Sequence, residues 1–136
     1  MAALLRGSCL CGGVKFEVTE APATLRHCHC ESCKKLSGGA ATVNGRVPSS
    51  AIRVLEGQEL LRTFQPADGS AKTFCVACGS NLFGGGWPYS EIASVRATAL
   101  DDAVDARPSA HIYVRSVAAW ETLPDDGLDR FETTSG

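Results

Sequence analysis

Seven cysteines in three short clusters constrain this chain more than any other feature of its sequence. The clusters are Cys9-Leu10-Cys11, Cys28-His29-Cys30-Glu31-Ser32-Cys33 and Cys75-Val76-Ala77-Cys78-Gly79. Residues two apart in a strand share a face, so a C-x-C pair aims two sulfurs in one direction. C-x-x-C is the tight knuckle of zinc ribbons, and the glycine after it allows the backbone to turn. The spacing therefore predicts zinc binding.

The cysteines divide into a set of three and a set of four. Cys28, Cys30 and Cys33 are close enough in sequence to reach one metal without help from the rest of the fold. The remaining set consists of Cys9, Cys11, Cys75 and Cys78. Four thiolates close a tetrahedral zinc site, whereas three protein ligands leave a position for water or substrate. We therefore predict two zinc ions, one structural and one with an open position.

Two alternatives stay open at this level. A histidine could complete the set of three and make a closed, structural site; His27 and His29 lie beside it, and His111 could come from elsewhere. Alternatively, the cysteines could be free thiols of a redox sensor, although these spacings are an unusual way to build one.

Composition favours an ordinary globular protein. The chain has 136 residues, 44% hydrophobic and 21% charged, with a net charge of -2. Its pI near 5.9 excludes the broad basic surface of a non-specific nucleic-acid binder. The N-terminus does not resemble a secretory signal, and no stretch approaches the length of a membrane span. An odd number of cysteines without such a signal favours metal chemistry in a reducing compartment, so we expect a cytoplasmic protein.

The hydrophobic pattern predicts a mostly β fold of many short strands. Val14, Phe16 and Val18 alternate with charged residues, which is typical of a strand. Further strands are predicted over 40–47, 51–55, 60–65, 91–100 and 111–114, and 72–76 leads into the second C-x-x-C knuckle. A single helical turn is expected after Cys33, a loop at 84–86 that with Trp87 could cover a metal, and fraying beyond Phe131. We expect one domain, with its core over about 6–131.

An open zinc with three thiolates favours sulfur chemistry over hydrolysis. Three thiolates outweigh the charge of Zn²⁺, which weakens the activation of bound water relative to a three-histidine site. A soft exogenous thiol suits such a site better. The bound thiolate is a nucleophile that can add to an aldehyde, and the reverse step is eased by the same metal. The pattern thus indicates carbon–sulfur bond making or breaking on a small thiol.

The chain resembles the glutathione-dependent formaldehyde-activating (GFA) enzyme family, which includes centromere protein V. The resemblance runs from about Arg6 to Phe131. It lies in Gly7-Ser8-Cys9-Leu10-Cys11-Gly12, Cys28-His29-Cys30-x-x-Cys33, Phe74-Cys75-x-x-Cys78-Gly79-Ser80 and His111-Ile112…Trp120.

The resemblance implies a β-tent fold with a structural zinc on the set of four and a catalytic zinc on the set of three. The reaction it implies is condensation of glutathione with formaldehyde to S-hydroxymethylglutathione, which is classed as a carbon–sulfur lyase reaction. Carriage of glutathione without turnover is an alternative. Two features depart from the family pattern: 96–101 lacks the glycine that members often carry, and Ala119 stands where they often have proline.

Three function classes therefore compete: a thiol-dependent enzyme, a thiol-binding module and a purely structural two-zinc scaffold. For the carboxylates of a glutathione-like thiol we predict Lys34 or Lys35, with Arg46 as a further candidate and solvated lysines as the alternative. Glu31 could relay a proton, although a surface carboxylate is the simpler interpretation. His111 is expected to be structural.

Overall fold

The computed structural model describes residues 4–134, and most of its regular structure is β-strand. The strands are β1 (Leu5–Ser8), β2 (Lys15–Val18), β3 (Leu25–Cys28), β4 (Thr42–Pro48), β5 (Ile52–Glu56), β6 (Leu61–Phe64), β7 (Lys72–Cys75), β8 (Asn81–Gly84), β9 (Ile92–Arg96), β10 (Pro108–Ile112) and β11 (Asp129–Arg130). One α-helix in this range, α1 (Glu31–Ser37), lies between β3 and β4. The predicted mostly β fold class, the β-tent, is confirmed.

The strands form two sheets. β1, β2 and β5 make a small antiparallel sheet in the order β1-β2-β5. The other eight make a large sheet in the order β11-β10-β3-β4-β9-β8-β7-β6. β10 runs parallel to both of its neighbours, β3 and β11, and the other pairs are antiparallel. In the described part of the chain, no helix has the length and apolar character that crossing a membrane requires.

The core lies between the two sheets. Phe16 of β2 meets Phe83 of β8 edge to face with 4.9 Å between ring centroids, and Trp87 packs on Phe83 at 4.6 Å. All three side chains are buried, each contributing roughly 1.5–3 kcal/mol through removal of apolar surface from water. Only glycine fits at Gly7, because a Cβ there would lie 2.2 Å from the Phe16 ring. Trp87 thus belongs to the core, and a metal-covering role for the loop at 84–86 stays a prediction.

Some local predictions needed correction. The helix is longer than the single turn expected, because it begins at Glu31 with Cys30 as its cap. The strands β3, β7, β8 and β11 were not predicted. The strand expected at 111–114 ends at Ile112, since Tyr113 turns into the left-handed region with φ 58°. The chain also remains paired beyond Phe131, where the Tyr113 N–H donates to the Thr133 carbonyl at 2.8 Å.

Candidate metal centres and cavity

The set of four cysteines comes together where the two sheets meet. Cys9 and Cys11 come from the turn after β1, Cys75 ends β7, and Cys78 lies in the turn that follows it. Their ligand atoms all lie within 4.8 Å of one another. The Cys9 and Cys11 sulfurs are 3.5 Å apart, and those of Cys11 and Cys75 are 4.0 Å apart. A zinc–sulfur bond of about 2.3 Å gives a tetrahedron edge of about 3.8 Å, so these sulfurs fit a zinc ion.

Backbone turns aim these four sulfurs. The Gly79 N–H donates to the Cys75 carbonyl at 2.7 Å, and Gly79 has φ 80°, which glycine adopts without strain. The Ser80 hydroxyl lies 3.2 Å from the Cys78 sulfur, and this hydrogen bond is the largest of several that together lower the pKa of Cys78 to about 5. The knuckle therefore favours the thiolate that a metal requires.

The set of three cysteines is built from the end of β3 and the start of α1. Cys28 ends β3, and Cys30 caps the helix by accepting a hydrogen bond at its sulfur from the Cys33 N–H at 3.3 Å. Cys28 and Cys33 are buried, and Cys30 is half-buried. The three sulfurs also lie within 4.8 Å of one another. All seven cysteines are free thiols.

Thiol hydrogen bonds couple this second cluster. Hydrogen bonds from Cys28 and then Cys30 lower the pKa of Cys33 to about 2, whereas hydrogen bonding with Cys30 and then Cys33 raises the pKa of Cys28. One thiolate is thus stabilised by its neighbours' protons, and its charge opposes loss of the next proton. Removing all three protons requires a cation, which is how a metal such as zinc binds thiolates.

The nearby histidines bond to one another instead of joining the sulfurs. His29 Nε2 lies 2.9 Å from His111 Nδ1, and His111 Nε2 lies 2.8 Å from Asp126 Oδ2. The ring of His27 stacks on His111 with 4.8 Å between centroids. Within residues 4–134, the group of potential ligands around the second cluster contains only the three cysteines. The described structure therefore offers no histidine that closes this site.

A cavity of about 640 Å³ opens onto the three cysteines. Five cationic residues line it, against two acidic ones, Glu31 and Asp68. The cationic residues are Arg26, Arg46, Lys72, Arg96 and Arg115. A volume of this size suits a small-molecule ligand, and the excess of positive charge favours an anionic one.

Strand register explains how these cations share one face. Arg26 lies two residues before Cys28 on β3 and is paired with Asn44 of β4, which is paired with Arg96 of β9. Directly paired residues point to the same face of a sheet. The cysteines and the strand cations therefore converge on the face opposite the core.

Two of these cations are buried. Arg96 is 3% exposed and Lys72 is 5% exposed. Lys72 Nζ donates to the Ser70 carbonyl at 2.8 Å, and Arg96 donates to side-chain amides of Asn81 and Asn44. No ion pair with a carboxylate is found for either in the described residues, and Arg96 Nη2 has no hydrogen-bond partner. Buried unpaired charge is costly, so both positions favour an anionic ligand.

The lysines predicted from the sequence lie elsewhere. Lys34 Nζ donates to the Ser116 carbonyl at 2.5 Å and is 3.6 Å from Glu31, while Lys35 is exposed. Neither lines the cavity, whereas Glu31 and Arg46 do. Sequence reasoning missed Lys72 and Arg96, since only strand pairing brings them to the cysteines. Arg26 carried a usable signal, because its i, i+2 spacing from Cys28 on a strand places both on one face.

The fold and the two cysteine clusters together define a class of protein. It is a mostly β protein with two cysteine clusters that could each hold a metal ion, and one of these clusters faces a cationic cavity. Residues 4–116 match the family described as glutathione-dependent formaldehyde-activating enzyme, abbreviated GFA. The chain belongs to this family.

Similar proteins include one from Halomonas elongata, which is 29% identical over 93% of this chain and 85% of that protein. The Halomonas protein is itself named only provisionally, as a glutathione-dependent formaldehyde-activating enzyme. A solved Rhodobacter sphaeroides structure matches the fold with a TM-score of 0.59 and 22% identity. That match covers 75% of this chain and 97% of the solved one.

Proposed function

We propose that this protein is a zinc-dependent enzyme that makes or breaks a carbon–sulfur bond on glutathione or a similar anionic thiol. The observation that carries the proposal is the three-cysteine cluster, which has no fourth protein ligand in the described chain and opens onto a cationic cavity. The family and the Halomonas relative both support glutathione as the thiol.

The chain's own residues supply binding and orientation. The catalytic zinc would be held by Cys28, Cys30 and Cys33. The structural zinc would be held by Cys9, Cys11, Cys75 and Cys78. Zinc bound by three thiolates would bind the substrate sulfur as a thiolate at neutral pH. Glutathione carries two carboxylates and one ammonium group, so the cavity cations can bind its two ends while its sulfur faces the cysteines.

The reaction that fits is addition of a thiol to a small aldehyde, or its reverse. In the forward direction the sulfur lone pair forms the C–S bond, the carbonyl π electrons move to oxygen, and the resulting alkoxide takes up a proton. The product with formaldehyde is S-hydroxymethylglutathione. The reverse is cleavage of that C–S bond, as in a carbon–sulfur lyase. Seven free cysteines fit a reducing compartment, and we place the protein in the cytoplasm.

The second candidate is a thiol carrier without turnover. It is favoured by the same open cluster, because neither a general acid nor a general base is needed simply to hold a thiol.

Cobalt substitution tests the proposal. Glutathione titrated into the two-cobalt protein should change the absorption of the three-cysteine site, whereas S-methylglutathione, which lacks a free thiol, should not. An unchanged spectrum at saturating glutathione would contradict both candidates and leave a structural scaffold.

Turnover separates the enzyme from the carrier. With zinc bound, hydroxymethyl thioether formation from glutathione and formaldehyde should exceed the uncatalysed rate measured at equal concentrations. Thiol binding without any acceleration would support the carrier instead.

A further inference from the structure

We propose that Arg96 is a positioning residue for the three-cysteine centre, which it stabilises through Asn44 and Thr42 by balancing the negative charge of the cysteine cluster. The inference rests on the metal centre of the proposed function, and it does not depend on which reaction follows.

A directed chain of hydrogen bonds runs from Arg96 towards the cluster. Arg96 Nη1 donates to Asn44 Oδ1, and Arg96 Nε donates to Asn81 Oδ1 at 2.8 Å. Because the Asn44 amide oxygen accepts, its nitrogen is left to donate, and it does so to Thr42 Oγ1 at 3.0 Å. The Thr42 hydroxyl then has its proton available for a sulfur.

The end of this chain is the three-cysteine cluster. Arg96 lines the same cavity as Cys28, Cys30 and Cys33. Thr42 is paired with Cys28 across β3 and β4, which fixes its place beside the cluster. Thr42, Asn44 and Arg96 are all buried, so water does not screen the interaction.

The charges on the two sides complement each other. Three thiolates outweigh Zn²⁺ by one unit, and a thiolate as the fourth ligand adds another negative charge. Arg96 brings one positive charge into the same buried region without a carboxylate partner in residues 4–134. The positive charge of Arg96 and the negative charge of the metal centre therefore lower each other's free-energy cost of burial, and the metal centre gains affinity for an anionic ligand.

The test uses the full chain and measures the metal centre directly. Two readouts are needed. The first is the dissociation constant of the zinc at the three-cysteine site, measured by chelator competition, and the second is the energy of the thiolate-to-cobalt charge-transfer band of the same site. Arg96→Gln should weaken that zinc about 10- to 100-fold, the usual effect of losing a partner of a metal ligand, and should shift the band. Arg96→Lys keeps the charge and should restore part of the affinity.

Arg46→Gln is the matched control. Arg46 lines the same cavity and carries the same charge, but it is exposed and lies outside the hydrogen-bond chain. We expect this variant to leave zinc affinity and band energy unchanged. Occupancy of the four-cysteine site reports in every variant whether the chain has folded.

Thr42 gives a second route to the same answer. Thr42→Val removes the hydroxyl with little change in volume and should weaken the same zinc, whereas Thr42→Ser should behave like the wild type. If the Arg96→Gln protein loses the zinc of the four-cysteine site, it has not folded, and the comparison of Thr42→Val with Thr42→Ser then tests the proposal.

Unchanged affinity and band energy in the folded Arg96→Gln protein, or in Thr42→Val where that protein does not fold, would overturn this role while leaving the proposed function intact. A wild-type chain that binds only one zinc would overturn both.

Discussion

The two cysteine clusters are expected to respond very differently to loss of one sulfur. Cys75 is fully buried, ends β7 and is part of the core between the sheets. Zinc binding contributes roughly 10–16 kcal/mol to the folding of small structural zinc domains. The net stability of a domain is only about 5–15 kcal/mol. Losing even a third of the zinc term, roughly 3–5 kcal/mol, would remove much of that margin. Cys75→Ser should therefore leave the protein largely unfolded or aggregated.

Cys30→Ser should leave the protein folded. The structural role of the Cys30 sulfur is to cap α1 by accepting from the Cys33 N–H, and serine is among the preferred residues at this position. A lost N-cap costs typically about 1 kcal/mol, and serine avoids that loss. We expect a folded protein that keeps one zinc per chain, loses only the stabilisation that the second zinc provides, and gives no spectral response to glutathione.

Three measurements check this contrast: zinc per chain, thermal unfolding by circular dichroism, and glutathione titration of the cobalt form. Ser32→Ala serves as control, because Ser32 lies in the same helical turn and lines the cavity without providing a sulfur. Equal destabilisation by the two cysteine variants, or a folded Cys75→Ser protein holding two zinc ions, would refute the division of roles.

Three further predictions concern the core, the cavity and the histidine chain. Phe83→Ala should lower the free energy of unfolding by about 3–5 kcal/mol, because it leaves a void beside Phe16; urea denaturation measures this, and a loss under about 1 kcal/mol would contradict the packing described. Lys72→Gln should raise the dissociation constant for glutathione about 10- to 100-fold in the cobalt titration, the equivalent of one charge-assisted hydrogen bond, and an unchanged constant would exclude Lys72 from binding. Asp126→Asn should lower the urea midpoint at pH 7, because the hydrogen bond with His111 that lowers the pKa of Asp126 is weakened. That stabilisation is complete above about pH 4 and is lost as the pH falls through the lowered pKa, so the two midpoints should converge in acid; equal midpoints at pH 7 would count against it.

The sequence alone indicated the mostly β class and the division of the cysteines into four and three. Cys28, Cys30 and Cys33 are so close along the chain that almost any compact local conformation brings their sulfurs together. The alternation around Phe16 likewise indicated a strand with one buried face. These are short-range features, and a few neighbouring residues decide them.

Local patterns were less reliable for the ends of elements. β8 is flanked by Gly79 and by the glycines at 84–86, which obscure its alternation. β11 has two residues and exists because it pairs with β10, which is a contact distant in sequence. Such pairings are decided by the rest of the fold and leave no periodic signal of their own.

The charge of the cavity was decided by the tertiary structure. Proximity along the chain suggested Lys34 and Lys35 as ligands of the substrate. In the helix, however, Lys34 donates to the Ser116 carbonyl and Lys35 is exposed to solvent. Lys72 and Arg96 reach the cavity instead, from strands that are distant in sequence. Side chains on different strands meet according to the register of backbone hydrogen bonds, and that register depends on the packing of whole sheets. Spacing along the chain therefore determined which sulfurs could share a metal, and the pairing of strands determined which charges face it.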